Sequence, residues 1–230
     1  MTSADPPRIG LMIPSSNTAM EADFSRELPR GWTLHTARMY MEDTTAEGES
    51  RLLDEFALPA ARDLGTARPD IVVFGCTSAG ALRGNDYDAE LCATITKITG
   101  APTVSTIDSV RLAIRRAGAK RVGVVTPYVK ELNEPIAASL RADGVDVVRI
   151  AGLGITENFE IARVTPARIV EFATEVLGGL AADLVFVSCT NFRAMEAIAD
   201  LEARLGLPVV TSNQAVLSAT VERVRVMLAG

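Results

Sequence analysis

The segment DIVVFGCTSAG, from Asp70 to Gly80, is an apolar run that ends on a cysteine. The segment ADLVFVSCTNF, from Ala182 to Phe192, repeats its order: an aspartate, an apolar run, one small residue, a cysteine and a threonine. Short continuous apolar runs of this kind are typical of strands in a parallel sheet that is covered on both faces. The two segments therefore predict two equivalent buried strands, each followed by a thiol.

The repeat extends beyond these two segments. RIGLMIP at 8–14 recurs as RVGVVTP at 121–127, and four residue pairs share a separation of 113 positions. These pairs are Gly10 with Gly123, Pro14 with Pro127, Asp70 with Asp183, and Cys76 with Cys189. A constant separation at four positions indicates two similar α/β halves, 1–115 and 116–230, related by a pseudo-twofold axis. The final helix is expected to pack back on the N-terminal half.

Apolar runs rich in β-branched residues alternate with stretches of helical period, such as EGESRLLDEFALPAARDL and TPARIVEFATEVLGGL. The predicted strands are 8–13, 33–38, 70–75, 102–105, 121–126, 145–150, 183–188 and 208–211. Strands that alternate with helices predict an α/β fold with parallel sheets. In such sheets, ligands bind at the carboxyl ends of the strands.

Composition argues against several classes of function. The net charge is −6 and no basic block is present, so nucleic-acid binding is not expected. No apolar stretch approaches the ~20 residues of a membrane span, and the N-terminus lacks a signal-peptide pattern. Three cysteines without a CxxC pair argue against a disulfide scaffold or a zinc site and favour a cytoplasmic location. The single histidine, His35, lies in an alternating strand pattern and is expected to be structural, and no nucleotide-binding glycine motif is present.

Cys76 and Cys189 are the candidate catalytic residues. Both follow strands, so two facing halves would present the two thiols across one cleft. The alternative is that each cysteine is a small buried hydrophobic residue, and the duplicated motif favours catalysis. Backbone N–H groups at helix N-termini are expected to lower both thiol pKa values. Cys92, in the helical stretch DAELCATITKI, lacks this setting and is expected to be structural.

Polar residues follow each cysteine. Thr77 and Ser78 on one side, with Thr190 and Asn191 on the other, offer donors to a carboxylate or to its enolate. The alternative role of these residues is N-capping of the next helix, which is compatible with ligand binding.

The turn PSSNT (14–18) closes the first strand, and the equivalent turn carries Tyr128. The Tyr128 phenol is expected to donate a hydrogen bond to a carboxylate, the alternative being a half-buried aromatic side chain. Asn158, in the loop GLGITENFEIARV, has on its own the character of a turn residue.

Together these residues resemble the cofactor-independent aspartate/glutamate racemase superfamily, and within it the branch of maleate cis–trans isomerases and arylmalonate decarboxylases. The similar segments cover nearly the whole chain: PRIGLMIPSSNT, FGCTSAGALRG, RVGVVTPYVKELNE, LGITENFEIARV, VSCTNF and GLPVVTSNQAV. The resemblance implies two flavodoxin-like halves with the substrate between them, no cofactor, and a homo-oligomer.

The resemblance also assigns roles to individual residues. It implies a small carboxylate substrate held near Pro14 by Asn17, Thr77, Ser78, Tyr128, Thr190 and Asn191. In racemases the two cysteines are opposed acid and base. In maleate isomerases the cysteine matching Cys76 adds to the double bond, and the one matching Cys189 transfers a proton. Asparagines matching Asn17 and Asn158 bind the carboxylates in those isomerases.

The chain departs from the arylmalonate decarboxylases at two positions. They have glycine where this chain has Cys76, and an apolar residue where it has Asn158. The segments TSAGALRG and LGIT…ARV nevertheless resemble the decarboxylases more closely than the maleate isomerases. The sequence therefore predicts an isomerase that acts on a small carboxylic acid, either a dicarboxylic acid such as maleate or an amino acid such as aspartate or glutamate. The alternatives are a decarboxylase that uses Cys189 and a non-catalytic, two-lobed carboxylate-binding module.

Overall fold

The predicted strands form two four-stranded sheets. In the computed structural model, which describes residues 5–229, they are β1 (Arg8–Pro14), β2 (Thr33–Met39), β3 (Ile71–Phe74), β4 (Thr103–Ser105), β5 (Arg121–Thr126), β6 (Asp146–Gly152), β7 (Leu184–Val187) and β8 (Val209–Thr211). The sheet orders are β2-β1-β3-β4 and β6-β5-β7-β8, and the strand pairs are parallel. The α/β class is confirmed, and the two halves share one strand order.

Helices connect and cover these strands. Over the described residues they are α1 (Met20–Glu27), α2 (Ala46–Arg51), α3 (Ala57–Gly65), α4 (Thr77–Leu82), α5 (Asn85–Thr99), α6 (Thr106–Arg116), α7 (Lys130–Arg141), α8 (Asn158–Arg163), α9 (Pro166–Leu177), α10 (Ile198–Leu205) and α11 (Ser212–Ala229). A π-helical segment, Leu52–Phe56, joins α2 to α3, and a 3₁₀ turn, Met195–Ala197, precedes α10. Within residues 5–229, no helix is long and apolar enough to cross a membrane.

The last helix of each half packs on the core of the other half. Val216 and Val224 of α11 lie in the apolar cluster of β1 and α1. Ile107, Val110 and Ile114 of α6 lie in the cluster that contains β5, β7 and α7. This exchange joins the halves through buried apolar surface, and the boundary between residues 115 and 116 stays a prediction.

The repeated aspartates fix the starts of the central strands. The Asp70 carboxylate accepts a 2.8 Å hydrogen bond from the backbone N–H of Arg8, and Asp183 accepts one of 2.8 Å from that of Arg121. The Arg121 side chain and backbone hold the pKa of Asp183 down to about 2. These aspartates lie at the strand ends opposite the cysteines, so their repetition has a structural cause.

The repeated glycines make room for equivalent leucines. A Cβ on Gly10 would lie 2.9 Å from Cδ2 of Leu64 in α3, and one on Gly123 would lie 3.0 Å from Cδ2 of Leu177 in α9. Each leucine belongs to the helix that precedes the neighbouring strand. The glycines therefore let a helix approach the central strand of each sheet.

Gly10→Ala should destabilise the fold by about 1–3 kcal/mol, because the added methyl group overpacks a buried contact. The measurement is the midpoint of urea unfolding. Combining it with Leu64→Val should cost less than the sum of the two single changes, since the smaller side chain relieves the crowding. Strict additivity of the two changes would contradict this account.

Candidate active site

The two cysteine turns are held together by the hydroxyl group of Ser212. Cys76 lies between β3 and α4, and Cys189 lies two residues after the end of β7. The Thr77 hydroxyl donates a 2.9 Å hydrogen bond to Ser212 Oγ, and the backbone N–H of Cys189 donates one of 3.0 Å to the same oxygen. The Ser212 hydroxyl thus links Thr77, which follows Cys76, to the backbone of Cys189.

A second bridge runs through Thr190. Its hydroxyl donates a 3.1 Å hydrogen bond to the carbonyl of Gly75, the residue before Cys76. Asn17 Nδ2 donates a 3.0 Å bond to Thr190 Oγ1. The strand-end turns of the two halves are therefore in direct contact, as a shared site requires.

Asn17 also organises the turn after β1. Its side-chain oxygen accepts hydrogen bonds from the backbone N–H groups of Ala19 at 3.1 Å and Met20 at 3.0 Å, at the start of α1. Pro14, the buried last residue of β1, accepts a 3.0 Å bond from the Asn17 backbone N–H. Asn17 thus combines helix capping with its contact to the second half.

Asn158 and Asn191 form a buried amide pair in the second half, and both side chains also bond to the first half. Asn191 Nδ2 donates to the Asn158 carbonyl at 2.6 Å, and Asn191 Oδ1 accepts from the Thr18 backbone N–H at 2.9 Å. Asn158 Nδ2 donates to Ser16 Oγ at 2.8 Å, and its side-chain oxygen accepts from the Thr44 hydroxyl at 3.2 Å. Asn158 is the first residue of α8, and these bonds make it part of the buried polar network rather than a simple turn residue.

Main-chain atoms also join residues 42–44 of the first half to residues 156–158 of the second half. Asp43 and Glu157 form an isolated antiparallel bridge, and the Thr44 N–H donates a 2.6 Å bond to the Thr156 carbonyl. We call this contact between residues 42–44 and 156–158 the clasp. Cys76 and Cys189 are only 3% and 5% exposed to solvent. Access of a substrate to the two thiols therefore requires a movement of the segments around them.

Burial dominates the ionisation of both thiols. It raises the pKa of Cys189 to about 12 and that of Cys76 well above its ordinary value. Backbone N–H groups oppose this rise: Ala79 donates to the Cys76 sulfur, and Asn191 donates to the Cys189 sulfur at 3.3 Å. The backbone N–H groups thus act in the predicted direction, but the expectation of lowered thiol pKa values is wrong, because removal from water outweighs these few donors.

Tyr128 is a neighbour of Cys189. The residue is 1% exposed rather than half-buried, and its burial raises the pKa of the phenol well above the ordinary value. Its hydroxyl hydrogen-bonds to Cys189 and lowers the pKa of that thiol, although less than burial raises it. The phenol stays protonated near neutral pH and is placed to donate to the Cys189 sulfur. Cys189 itself has a backbone φ of 109°, which is strained for a residue with a side chain.

Glu49, which the sequence analysis missed, is the neighbour of Cys76. The Cys76 thiol donates a 3.4 Å hydrogen bond to Glu49 Oε2, and the Ser78 hydroxyl donates to Glu49 Oε1. Ser78 Oγ also lies 3.6 Å from the Cys76 sulfur. Glu49 is completely buried, and this burial raises the pKa of its carboxyl to about 7.

The backbone of α2 explains how Glu49 is placed. Thr45 caps the helix by accepting a 3.1 Å hydrogen bond from the Gly48 N–H. A Cβ on Gly48 would lie 2.2 Å from the Asp43 carbonyl oxygen, so only glycine allows α2 to lie against the clasp. The Glu131 carboxylate, from the other half, accepts a 3.1 Å bond from the Ala46 N–H. These contacts turn Glu49 inward.

The remaining residues lie outside this network. Cys92 is half-buried on α5, where burial raises the pKa of its thiol. His35 is on the edge strand β2, with its Nε2 atom 3.0 Å from Thr33 Oγ1. In the part of the chain that is described, no three His, Cys, Asp or Glu side chains cluster so as to hold a metal ion.

Comparison with known proteins identifies the family. The profile of the arylmalonate decarboxylase family matches residues 9–228. Maleate isomerase from Geobacillus stearothermophilus is 30% identical over 218 residues, which are 89% of this chain and 86% of that protein. Arylmalonate decarboxylase from Bordetella bronchiseptica is 29% identical over 216 residues, or 94% of this chain and 89% of that protein.

Solved structures agree with this result. The crystal structure of the maleate isomerase Iso from Pseudomonas putida S16 is similar to this chain with a TM-score of 0.88 and 26% identity, over 96% of this chain and 94% of the isomerase. A crystal structure of arylmalonate decarboxylase gives a TM-score of 0.77 and 26% identity, over 94% and 92% of the two chains. This chain therefore belongs to the arylmalonate decarboxylase family, in the branch of the aspartate/glutamate racemase superfamily that also contains the maleate isomerases.

Proposed function

We propose that this enzyme is a cofactor-independent isomerase that converts maleate, or a closely related cis-alkene dicarboxylate, into its trans isomer. The observation that carries this proposal is the unequal setting of two cysteines in one network. Cys76 faces a carboxylate, Glu49, while Cys189 faces a phenol, Tyr128. Two thiols with different neighbours suit a nucleophile and a proton donor, whereas a racemase exchanges the roles of two thiols.

The chemistry has four steps. The Cys76 sulfur bonds to one alkene carbon, and the π electron pair moves to the neighbouring carbon, where Cys189 supplies a proton. Rotation about the resulting single bond brings the carboxylates to the trans arrangement. Cys189 removes the proton, the π bond forms again, and the bond between sulfur and carbon breaks. The enzyme returns to its starting state.

The pKa of Cys189 supports its role in this scheme. Because that pKa is raised to about 12, Cys189 is a thiol near neutral pH and can donate a proton. The adjacent Tyr128 hydroxyl then stabilises the thiolate that this donation leaves. The amides of Asn17, Asn158 and Asn191 are candidates to bind the two carboxylates, since donors directed at developing negative charge stabilise an enolate-like state.

Relatives support the dicarboxylate substrate. The curated relative from Geobacillus stearothermophilus is a maleate isomerase, and one structure of the Pseudomonas putida S16 isomerase was determined with maleate. That structure gives a TM-score of 0.88 with this chain. Two carboxylates on the substrate also give each polar turn of the site a group to bind.

Incubation with a panel of acids in deuterated water tests the proposal. The panel contains maleate, aspartate, glutamate and phenylmalonate, and proton NMR follows the products. We expect fumarate from maleate and no reaction of the other acids, because only the alkene accepts a thiolate at carbon. Deuterium at the α-carbon of an amino acid would instead show racemisation, and loss of CO2 from phenylmalonate would show decarboxylation.

A further inference from the structure

Glu49 is a buried carboxyl group without a cation. The residue is 0% exposed, and within residues 5–229 no lysine or arginine forms an ion pair with it. Burying a carboxylate in this way is costly unless it has strong hydrogen-bond donors. Its two oxygens accept hydrogen bonds from the Cys76 thiol and the Ser78 hydroxyl. A group kept at such cost against a nucleophile points to a function in the reaction.

We propose that Glu49 is the proton acceptor for Cys76. As the Cys76 sulfur bonds to the substrate carbon, its proton passes to Glu49 Oε2, and the S–H electron pair becomes the new S–C bond. When the S–C bond breaks, the proton returns to sulfur. The identity of the substrate in this reaction rests on the proposed function, whereas the proton transfer from Cys76 to Glu49 does not.

The charge balance of the pair supports this role. A thiolate and a carboxylate 3.4 Å apart would repel each other strongly in a buried site, so the pair keeps one proton between the two groups. Transfer of the proton creates the nucleophile without adding net charge. A carboxyl whose pKa is about 7 is suited to exchange a proton near neutral pH.

In the described part of the second half, the helix equivalent to α2 buries no carboxylate. Helix α8 follows β6 as α2 follows β2, and its buried residues are Asn158 and Ile161. The protein is therefore built to remove a proton from Cys76 and to leave one on Cys189.

The surroundings of Glu49 define what can titrate with it. The turn before α4 presents Cys76, and α4 itself presents the neutral Ser78. From the other half, Cys189 and Tyr128 are close enough for the negative charge of Glu49 to raise their pKa values. The Glu131 carboxylate, also from the other half, accepts a hydrogen bond from Ala46 at the start of α2. Neither half brings a cation to the carboxyl among the described residues.

The test measures alkylation of Cys76 by iodoacetamide as a function of pH, with peptide-resolved mass spectrometry. Below pH 7 the Glu49 carboxyl is protonated and cannot accept, so alkylation of the native enzyme should rise through about pH 7 and then level off. In Glu49→Gln the thiol must ionise alone. Removal of the Glu49 charge favours the thiolate, but burial is the larger effect. We expect the rise to move up by at least about one pH unit, and the rate at pH 7 to fall at least about tenfold.

Two further variants separate this role from a structural one. Asp88→Asn removes another buried carboxyl, one on α5 whose pKa is raised to about 6, and should leave the profile unchanged. Glu49→Asp should restore the rise near pH 7. The inference is overturned if Glu49→Gln keeps the native profile, or slows alkylation equally at every pH. A native enzyme that shows the profile but converts no acid of the panel would refute the proposed function and leave the proton transfer standing.

Discussion

Cys76→Ser should lower the rate of maleate isomerisation by more than about 10⁴-fold. Serine keeps the size of the side chain, but its hydroxyl ionises far less readily than a thiol, and Glu49 is too weak a base to take its proton. No bond to the substrate carbon then forms. The measurement is the appearance of fumarate by NMR, together with the midpoint of urea unfolding, which we expect to stay close to the native value.

Cys92→Ser is the matched control for this experiment. It makes the same chemical change at a half-buried thiol on α5, outside the hydrogen-bond network of the site, and it should leave isomerisation unchanged. If Cys76→Ser remained active and released CO2 from arylmalonates, the chemistry would belong to Cys189 alone, and the addition mechanism would be wrong.

Cys189→Ser should lower the same rate by about 10²–10⁴-fold, the range of a general acid or base. Its signature differs from that of Cys76→Ser, because Cys76 can still add to the alkene. A proton that reaches the adduct slowly from water cannot be removed without the Cys189 thiolate. We therefore expect an adduct of one maleate on Cys76, visible by intact-mass and peptide mass spectrometry.

The double variant Cys76→Ser/Cys189→Ser is the control for this second prediction, and it should carry no adduct. An adduct on the peptide that contains position 92 would show non-specific alkylation. An unmodified Cys76 in Cys189→Ser, with full isomerisation, would contradict the proposed division of roles between the two cysteines.

The fold could be predicted because the chain carries the pattern twice. Gly10 and Gly123 face equivalent leucines, and Asp70 and Asp183 bind equivalent backbone N–H groups, so each repeated residue answers one physical requirement in each half. Repetition also made Cys76 and Cys189 the candidate catalytic residues, and their catalytic role stays a prediction. The predicted strand 208–211 put Ser212 at a carboxyl end, and the rule that ligands bind at such ends could have found its bridging hydroxyl.

Glu49 could not be predicted in the same way. It stands in the polar run EGES, where a glutamate normally faces solvent, and the equivalent helix α8, which is fully described, buries no carboxylate. Its burial depends on the close approach of Gly48 to Asp43 and on a bond from Ala46 to Glu131, which are contacts between distant parts of the chain. The predicted direction of the two thiol pKa shifts was wrong for a related reason. Helix position can be read from sequence, but the depth of burial that outweighs it cannot.

The clasp is made by main-chain atoms, since Asp43 pairs with Glu157 and Thr44 with Thr156 through backbone groups. One side-chain bond joins the same two segments, since the Thr44 hydroxyl donates a 3.2 Å hydrogen bond to Asn158 Oδ1. Because Asn158 is also a candidate to bind a substrate carboxylate, a ligand that engages its amide would compete with a contact that joins the two halves.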